Sequence, residues 1–177
     1  MDRTLLITGG TGSLGQALLD EVLKTDTYDK VRIFARSEKP FVDMMRRVQD
    51  KRIRIVIGDV RDRDSVDYAT RGVTDVIHCA ALKHVDFCEL HGEDAIKTNV
   101  LGTMNVIYFA LVNSVKKVLA ISSDKGVAPI STYGATKLLE EKLICGVNRR
   151  SGDTKLSCVR LGNLSYSSGS FLPLLKE

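Results

Sequence analysis

An α/β fold built on a doubly wound parallel sheet is the class this sequence predicts, and three observations predict it. Six short apolar, strand-like runs recur along the 177 residues and alternate with segments of helical spacing. The first strand passes directly into a glycine-rich turn and then into a helix. Small and polar residues gather just after the strands, where open sheets of this kind take their ligands. The expected strand order is 3-2-1-4-5-6.

Thr4 to Thr8 is the first strand, followed at once by Gly9-Gly10-Thr11-Gly12-Ser13-Leu14-Gly15. Leu14, Leu18 and Val22 then repeat every four residues, as on a helix that packs one face on a sheet. A glycine turn opening a helix lets the backbone approach a pyrophosphate, and the helix N-terminus offers free N–H groups and a positive dipole end. This is the opening of a Rossmann nucleotide-binding unit. Val31 to Ala35 is the second strand and ends in Arg36-Ser37-Glu38. An arginine there can pair with a 2′-phosphate, so Arg36 and Ser37 point to NADP rather than NAD, against the reading of an ordinary exposed arginine.

Phe41 to Val48 reads as a helix and Ile53 to Ile57 as the third strand, with Gly58-Asp59-Val60-Arg61-Asp62 as the loop after it. Asp59 has the residue type of a helix cap or a turn. Asp75 to Cys79 is the fourth strand, leading to Ala80-Ala81-Leu82-Lys83-His84, and small residues there let a cofactor lie against the backbone. A long helix is expected from Gly92 to Asn113, carrying Ile96, Val100, Ile107 and Leu111. Asn99 interrupts it with a side chain that competes for backbone hydrogen bonds. Lys117 to Ser122 is the fifth strand, a helix runs from Tyr133 to about Asn148, and Lys155 to Arg160 is the sixth strand.

The chemistry concentrates between Ser122 and Lys137. Tyr133 and Lys137 lie four apart on one helix face, where an ammonium beside a phenol is expected to lower the tyrosine pKa towards a value useful in a base. Leu138, Leu139, Leu143 and Ile144 supply the apolar positions of that helix. Asp124 and Lys125 stand at the mouth of the preceding strand, a second acid and base for the same ligand. Alone, Tyr-x-x-x-Lys also fits a solvated helix face; its place after Ser-Ser-Asp-Lys and downstream of a glycine turn is what favours a site.

Composition sets limits. A chain that is 44% hydrophobic can bury one sizeable core. Net charge is +4 and the pI about 8.9, which suits an anionic ligand without requiring nucleic acid. The Arg46, Arg47, Lys51, Arg52, Arg54 run is interleaved with Met44, Met45, Val48, Ile53 and Ile55, as expected of a solvated helix face leading into a strand. No apolar run is read as a membrane span, and a cytoplasmic protein is expected. Cys79, Cys88, Cys145 and Cys158 show no C-x-x-C spacing and are read as reduced, mostly buried thiols. His84, Cys88 and His91 fall at i, i+4 and i+7 without an evident fourth ligand, so no metal is expected.

Taken together, Thr-Gly-x-x-Gly-x-x-Gly, Ser-Ser-Asp-Lys and Tyr-Gly-Ala-Thr-Lys resemble the extended short-chain dehydrogenase/reductase superfamily. Within it, Asp124-Lys125 followed eight residues later by the tyrosine motif looks like the inverting UDP-N-acetylglucosamine 4,6-dehydratases of the polysaccharide biosynthesis protein family. The resemblance implies NADP bound by Gly9, Thr11, Gly12, Ser13, Leu14, Gly15, Arg36, Ser37, Asp59, Val60, Ala80, Ala81, Lys83, Asn99, Tyr133 and Lys137. It places Lys83, His84 and Asn163 near the sugar of a UDP-sugar substrate. Ser123, Asp124, Lys125, Tyr133 and Lys137 take the catalytic roles. It also implies a homo-oligomer, with the Gly92 to Asn113 and Tyr133 helices pairing across subunits.

The resembled dehydratases are longer. Residues 1–160 are expected to form the dinucleotide-binding domain and 161–177 the start of a truncated substrate-binding region, the substrate domain being largely absent. Arg160-Leu161-Gly162-Asn163 and Gly169-Ser170-Phe171-Leu172-Pro173 resemble the opening of that region. Leu161 stands where an aromatic is usual and Ser168 where an arginine is, while Ala128 and Ser131 replace common asparagines. Two alternatives to the dehydratase remain open: a non-catalytic NADP-binding fragment or partner subunit, and an epimerase or reductase of the same superfamily that needs only Tyr133 and Lys137.

Overall fold

The computed structural model describes residues 2–163, in which six parallel strands form one sheet in the order β3-β2-β1-β4-β5-β6. They are β1 (Thr4–Thr8), β2 (Lys30–Ala35), β3 (Ile53–Ile57), β4 (Asp75–His78), β5 (Lys117–Ser123) and β6 (Lys155–Leu161). This is the predicted Rossmann order, and it reverses between β1 and β4. The expectations for the loop at 165–170, the 169–173 run and most of the 161–177 region lie outside the described residues.

All five residues of β1 are buried, as a central parallel strand requires. Successive side chains point to opposite faces, so Leu5 and Ile7 join Val31 and Ile33 on one side while Leu6 joins Phe34, Val76 and Val118 on the other. Helices α1 (Ser13–Leu23) and α2 (Glu38–Arg47) close the first face through Leu19, Phe41 and Met44. The second face is closed by α3 (Arg63–Thr70), α6 (Gly102–Val112) and α7 (Thr132–Asn148), through Val66, Ala69, Val106, Ile107, Ala110 and Ile144. Each valine, leucine, isoleucine, phenylalanine or methionine side chain so withdrawn from water contributes about 1.5–3 kcal/mol, which is why both faces need a helical cover.

Several expectations change. In α1 the fully buried positions are Gly15 and Leu19, while Leu14, Leu18 and Val22 pack only partly. The long helix expected from Gly92 is built from α5 (Gly92–Ala95), a π-helical turn at Ile96–Leu101 and α6, preceded by the separate α4 (Val85–Leu90). Its Gly92–Val112 stretch is long and apolar enough to cross a membrane by composition, with mean hydropathy 1.3, contrary to the sequence reading. Half of it is buried in this fold, where Val106, Ile107 and Ala110 enter the core. Helix α3 lies between β3 and β4 and was not predicted; Asp62 caps it by accepting the Asp64 N–H at 3.1 Å. Among the four free cysteines only Cys88 is buried, and Cys145 is exposed. The basic run is engaged rather than merely solvated. Arg47 pairs with Asp20 at 2.8 Å, and Arg52 donates to Asp50 and to the carbonyls of Leu23 and Thr25.

Candidate active site

The carboxyl ends of the strands border an open cleft of about 700 Å³, a size suited to a dinucleotide-like ligand. The β1–α1 turn forms its floor. Gly9 has φ +65°, and a Cβ there would lie 2.8 Å from the Ala80 backbone, so only glycine lets β1 and β4 deliver both loops this closely. The Gly9 N–H donates to the Phe34 carbonyl at 2.8 Å, and Gly12 caps α1, whose first turn carries no acidic side chain. An uncompensated positive helix end above a glycine turn fits a pyrophosphate. Thr11, Ser13, Leu14 and Gly15 line the same wall.

Arg36 and Ser37 lie at the end of β2 on the cleft, exposed, with Val60 beyond them at the end of β3. Asp59 does not line the cleft. It is a turn residue, and its carboxylate accepts from the Arg61 backbone N–H at 2.9 Å and from the Arg61 guanidinium at 2.6 Å. Arg61 and Arg36 hold its pKa below the usual carboxylate range against the opposing effect of burial. At the end of β4, Ala80, Ala81, Lys83 and His84 border the cleft, and His84 begins α4.

Asn99 also stands back from the cleft, fully buried in the π-helical turn. Its side chain accepts the Leu82 N–H at 2.8 Å and donates to the Leu82 carbonyl at 2.9 Å and to Thr136 at 3.0 Å. It therefore ties the β4 loop to α7, an ordering role carried by a helix distortion of the kind common at functional sites.

Ser123 ends β5, and a 3₁₀ turn over Asp124–Gly126 follows. The Asp124 carboxylate accepts from Ser123 at 2.9 Å and from Lys125 Nζ at 3.3 Å, bonds that lower its pKa. Asp124 does not line the cleft, whereas Ser123 and Lys125 do. Lys125 Nζ also donates to Asn163 Oδ1 at 3.1 Å, which joins the predicted sugar-side asparagine to the acid–base pair. Helix α7 starts where Ser131 accepts the Gly134 N–H at 3.1 Å, so serine caps as the usual asparagine would. Gly134 is required here, because a Cβ would run into the Lys125 carbonyl.

Tyr133 and Lys137 both face the cleft and are buried. Lys137 Nζ donates to the Ile121 carbonyl at 2.6 Å and pairs with Glu140. The tyrosine pKa is raised, not lowered as predicted. Burial raises it first, a Ser123 hydrogen bond opposes, and the carboxylates of Glu140 and Asp124, with the nearby Cys88 thiol, add to the rise. Glu140 and Glu141 escaped the sequence reading. Glu141 accepts from Ser122 at 2.6 Å and from Arg160 at 2.7 and 2.8 Å, which holds its carboxyl below the usual range. Their signal was spacing: Lys137, Glu140, Glu141 and Ile144 share one buried helix face. The predicted apolar position Leu139 is half exposed.

Comparison with known proteins agrees with this architecture. A family model described as polysaccharide biosynthesis protein matches residues 5–177. A UDP-glucose 4-epimerase of Rickettsia akari is 46% identical over 179 residues, covering 98% of this chain and 52% of the relative. An uncharacterized membrane protein of Methanocaldococcus jannaschii is 44% identical over 178 residues, covering 99% and 53%. The structure of Pen from Bacillus thuringiensis superposes with TM-score 0.95 at 41% identity, over 99% of this chain and 56% of that one. DesIV of Streptomyces venezuelae, a dTDP-glucose 4,6-dehydratase solved with NAD and TYD bound, gives TM-score 0.79 at 25% identity over 90% of this chain and 55% of that one. The chain spans about half the length of the curated relatives it matches. By its sheet, its glycine turn and a family match over nearly all of its length, this chain belongs to the polysaccharide biosynthesis protein family.

Proposed function

We propose that this chain carries the dinucleotide-binding and acid–base half of an NADP-dependent nucleotide-sugar 4,6-dehydratase acting on UDP-N-acetylglucosamine. The observation that carries the reading is the second acid–base pair, Asp124 with Lys125, which stands one residue from Ser123 and beside the Tyr133 helix. Residues 1–160 form the nucleotide-binding domain in this reading. The glycine turn and the α1 N-terminus hold the pyrophosphate, Ala80 and Ala81 leave room for the cofactor at β4, and Arg36 with Ser37 hold the 2′-phosphate. Lys83, His84 and Asn163 face the sugar nucleotide.

A bound nicotinamide supplies the hydride acceptor for C4 and returns the hydride at C6. Tyr133 takes the proton from the 4-hydroxyl, with Ser123 hydrogen-bonded to the same oxygen, and Lys137 holds the nicotinamide ribose. Asp124 and Lys125 then serve the elimination. At rest they are carboxylate and ammonium; transfer of one proton across the 3.3 Å contact converts them to a carboxylic acid and a free amine. The amine removes the C5 proton, made acidic by the 4-ketone, and the acid protonates the departing 6-hydroxyl, so the proton count closes. Reprotonation at C5 from the opposite face, with the proton that Tyr133 took from the 4-hydroxyl, gives the inverted sugar and returns the tyrosine to its starting state.

Relatives named as 4-epimerases favour a second reading, in which only Tyr133 and Lys137 act on the sugar. Lys125→Met separates the two. Dehydration, read as loss of the C6 hydroxymethyl signal by NMR, should fall by about 10²–10⁴-fold, as removal of a general base does. Undiminished turnover in that variant would favour the epimerase. A homo-oligomer through α6 and α7 is also proposed, because Met104, Tyr108, Val112 and Leu139 are exposed there; a monomeric mass by light scattering would oppose it.

A further inference from the structure

A buried carboxylate sits behind the tyrosine–lysine pair with no part in the reaction above. Glu140 is one helical turn beyond Lys137, is 1% exposed, and places Oε2 on Lys137 Nζ. Its other oxygen, Oε1, is buried without a hydrogen-bond partner among the described residues. Lys137 is itself 3% exposed, and Ile121 supplies its other acceptor. An ammonium paired this closely presents little net charge to a neighbouring phenol, because the two opposite charges form a short dipole.

We propose that Glu140 is a positioning residue that holds Lys137 and cancels its charge at Tyr133, so that the tyrosine becomes a base only when Lys137 is drawn off that carboxylate. This rests on Tyr133 being the base of the proposed reaction. The directions of the pKa shifts agree: Glu140 ranks among the groups raising Tyr133, and burial raises Glu140 itself despite Lys137. Other groups facing the pair are His78 and Cys79 on the β4 side, Cys158 on β6, Glu141 on α7, and Asp124 and Cys88 towards Tyr133. Neutral His78 and the protonated thiols of Cys79, Cys88 and Cys158 add no charge near neutral pH, and Glu141 is already matched by Arg160. Asp124 is matched by Lys125. Glu140 is therefore the group that decides how much of the Lys137 charge reaches the phenol.

The test is a titration of Tyr133 by ¹³Cζ-tyrosine NMR, with Tyr133→Phe assigning the signal. In Glu140→Gln the midpoint should fall by about one pH unit, a tenfold gain in phenolate at fixed pH. In the double variant Lys137→Met/Glu140→Leu, which removes both charges, it should return to the wild-type value. Where Glu140→Gln fails to fold, Glu140→Ser, which leaves room for water beside the ammonium, carries the same expectation. A midpoint unchanged or raised in the single variants overturns the proposal. No turnover is needed for this reading. A lowered midpoint in a protein that never transforms a UDP-sugar leaves the charge cancellation standing and overturns the dehydratase, and an unmoved midpoint with turnover intact does the reverse.

Discussion

Replacing Gly9 by alanine adds one methyl group at the point where β1, β4 and the glycine turn converge. Two costs follow from the geometry. The residue has φ +65°, a conformation that costs an L side chain roughly 1–2 kcal/mol. The new Cβ would also lie 2.8 Å from both N and Cα of Ala80 and 3.0 Å from the Cys79 carbonyl carbon, all backbone, and overpacking of this kind costs about 1–3 kcal/mol. Against these, alanine restricts the unfolded chain and recovers about 0.4–1 kcal/mol. The net loss is about 1–4.6 kcal/mol, and at about 2–4 °C per kcal/mol the Tm should fall by roughly 2–18 °C for a chain of this size. Urea unfolding followed by circular dichroism, with a parallel thermal scan, measures both. A variant with wild-type Tm and midpoint would refute the argument that β1 and β4 approach too closely for any side chain.

Three other perturbations test other parts of the structure. Ala128 has φ +44°, so Ala128→Asn, which tolerates that region, should raise stability by about 1 kcal/mol and Tm by roughly 2–4 °C; an unchanged or lower Tm would contradict it. Asn99→Ala removes one buried and two part-buried hydrogen bonds and leaves the Leu82 backbone without those partners, so unfolding free energy should drop by about 2–4 kcal/mol, and a loss under about 1 kcal/mol in urea would argue against the clamp. His78 is buried between Thr8 and Thr103, and burial, with the Lys137 charge, pushes its pKa down to about 3. The unfolded chain, with its histidine near 6.5, then binds the extra proton between those values, so stability falls as pH drops through that window by about 1.4 kcal/mol per pH unit. In His78→Gln that dependence should be one proton shallower; equal slopes from pH 6.5 to 4 would contradict it.

The sheet was legible because its evidence is local: apolar runs of strand length, a glycine turn, and small residues at strand ends. Tyr133 and Lys137 were legible for the same reason, since a spacing of four fixes a shared helix face. What escaped depended on neighbours distant in sequence. Glu140 and Glu141 look like solvent-facing positions beside Leu138 and Leu139, yet the helix turns its charged side inward because Ser122, Arg160 and Lys137 are there to receive it. The expected pKa shift of Tyr133 is reversed first by burial, with the Glu140 carboxylate adding to the rise, and neither is visible in a spacing of four. Asn99 was read as a helix interruption, and its partners on the β4 loop and α7 show why the interruption is there. Helix α3 was missed because it offers few apolar positions, Val66 and Ala69 being its buried aliphatic ones. For Asp59 the residue type leaves cap and turn open and the resemblance adds a cofactor contact; the structure gives the turn, off the cleft, because Arg61, two residues on, takes up its carboxylate.

The most direct measurement is NMR product analysis of the 177-residue protein incubated with UDP-N-acetylglucosamine and NADP⁺. A new C6 methyl signal, with C4 converted to a ketone or its hydrate, is the predicted result. A sugar altered only at C4, or one left unchanged by protein that has bound NADP⁺, would contradict the proposal that Asp124 and Lys125 complete a dehydratase site.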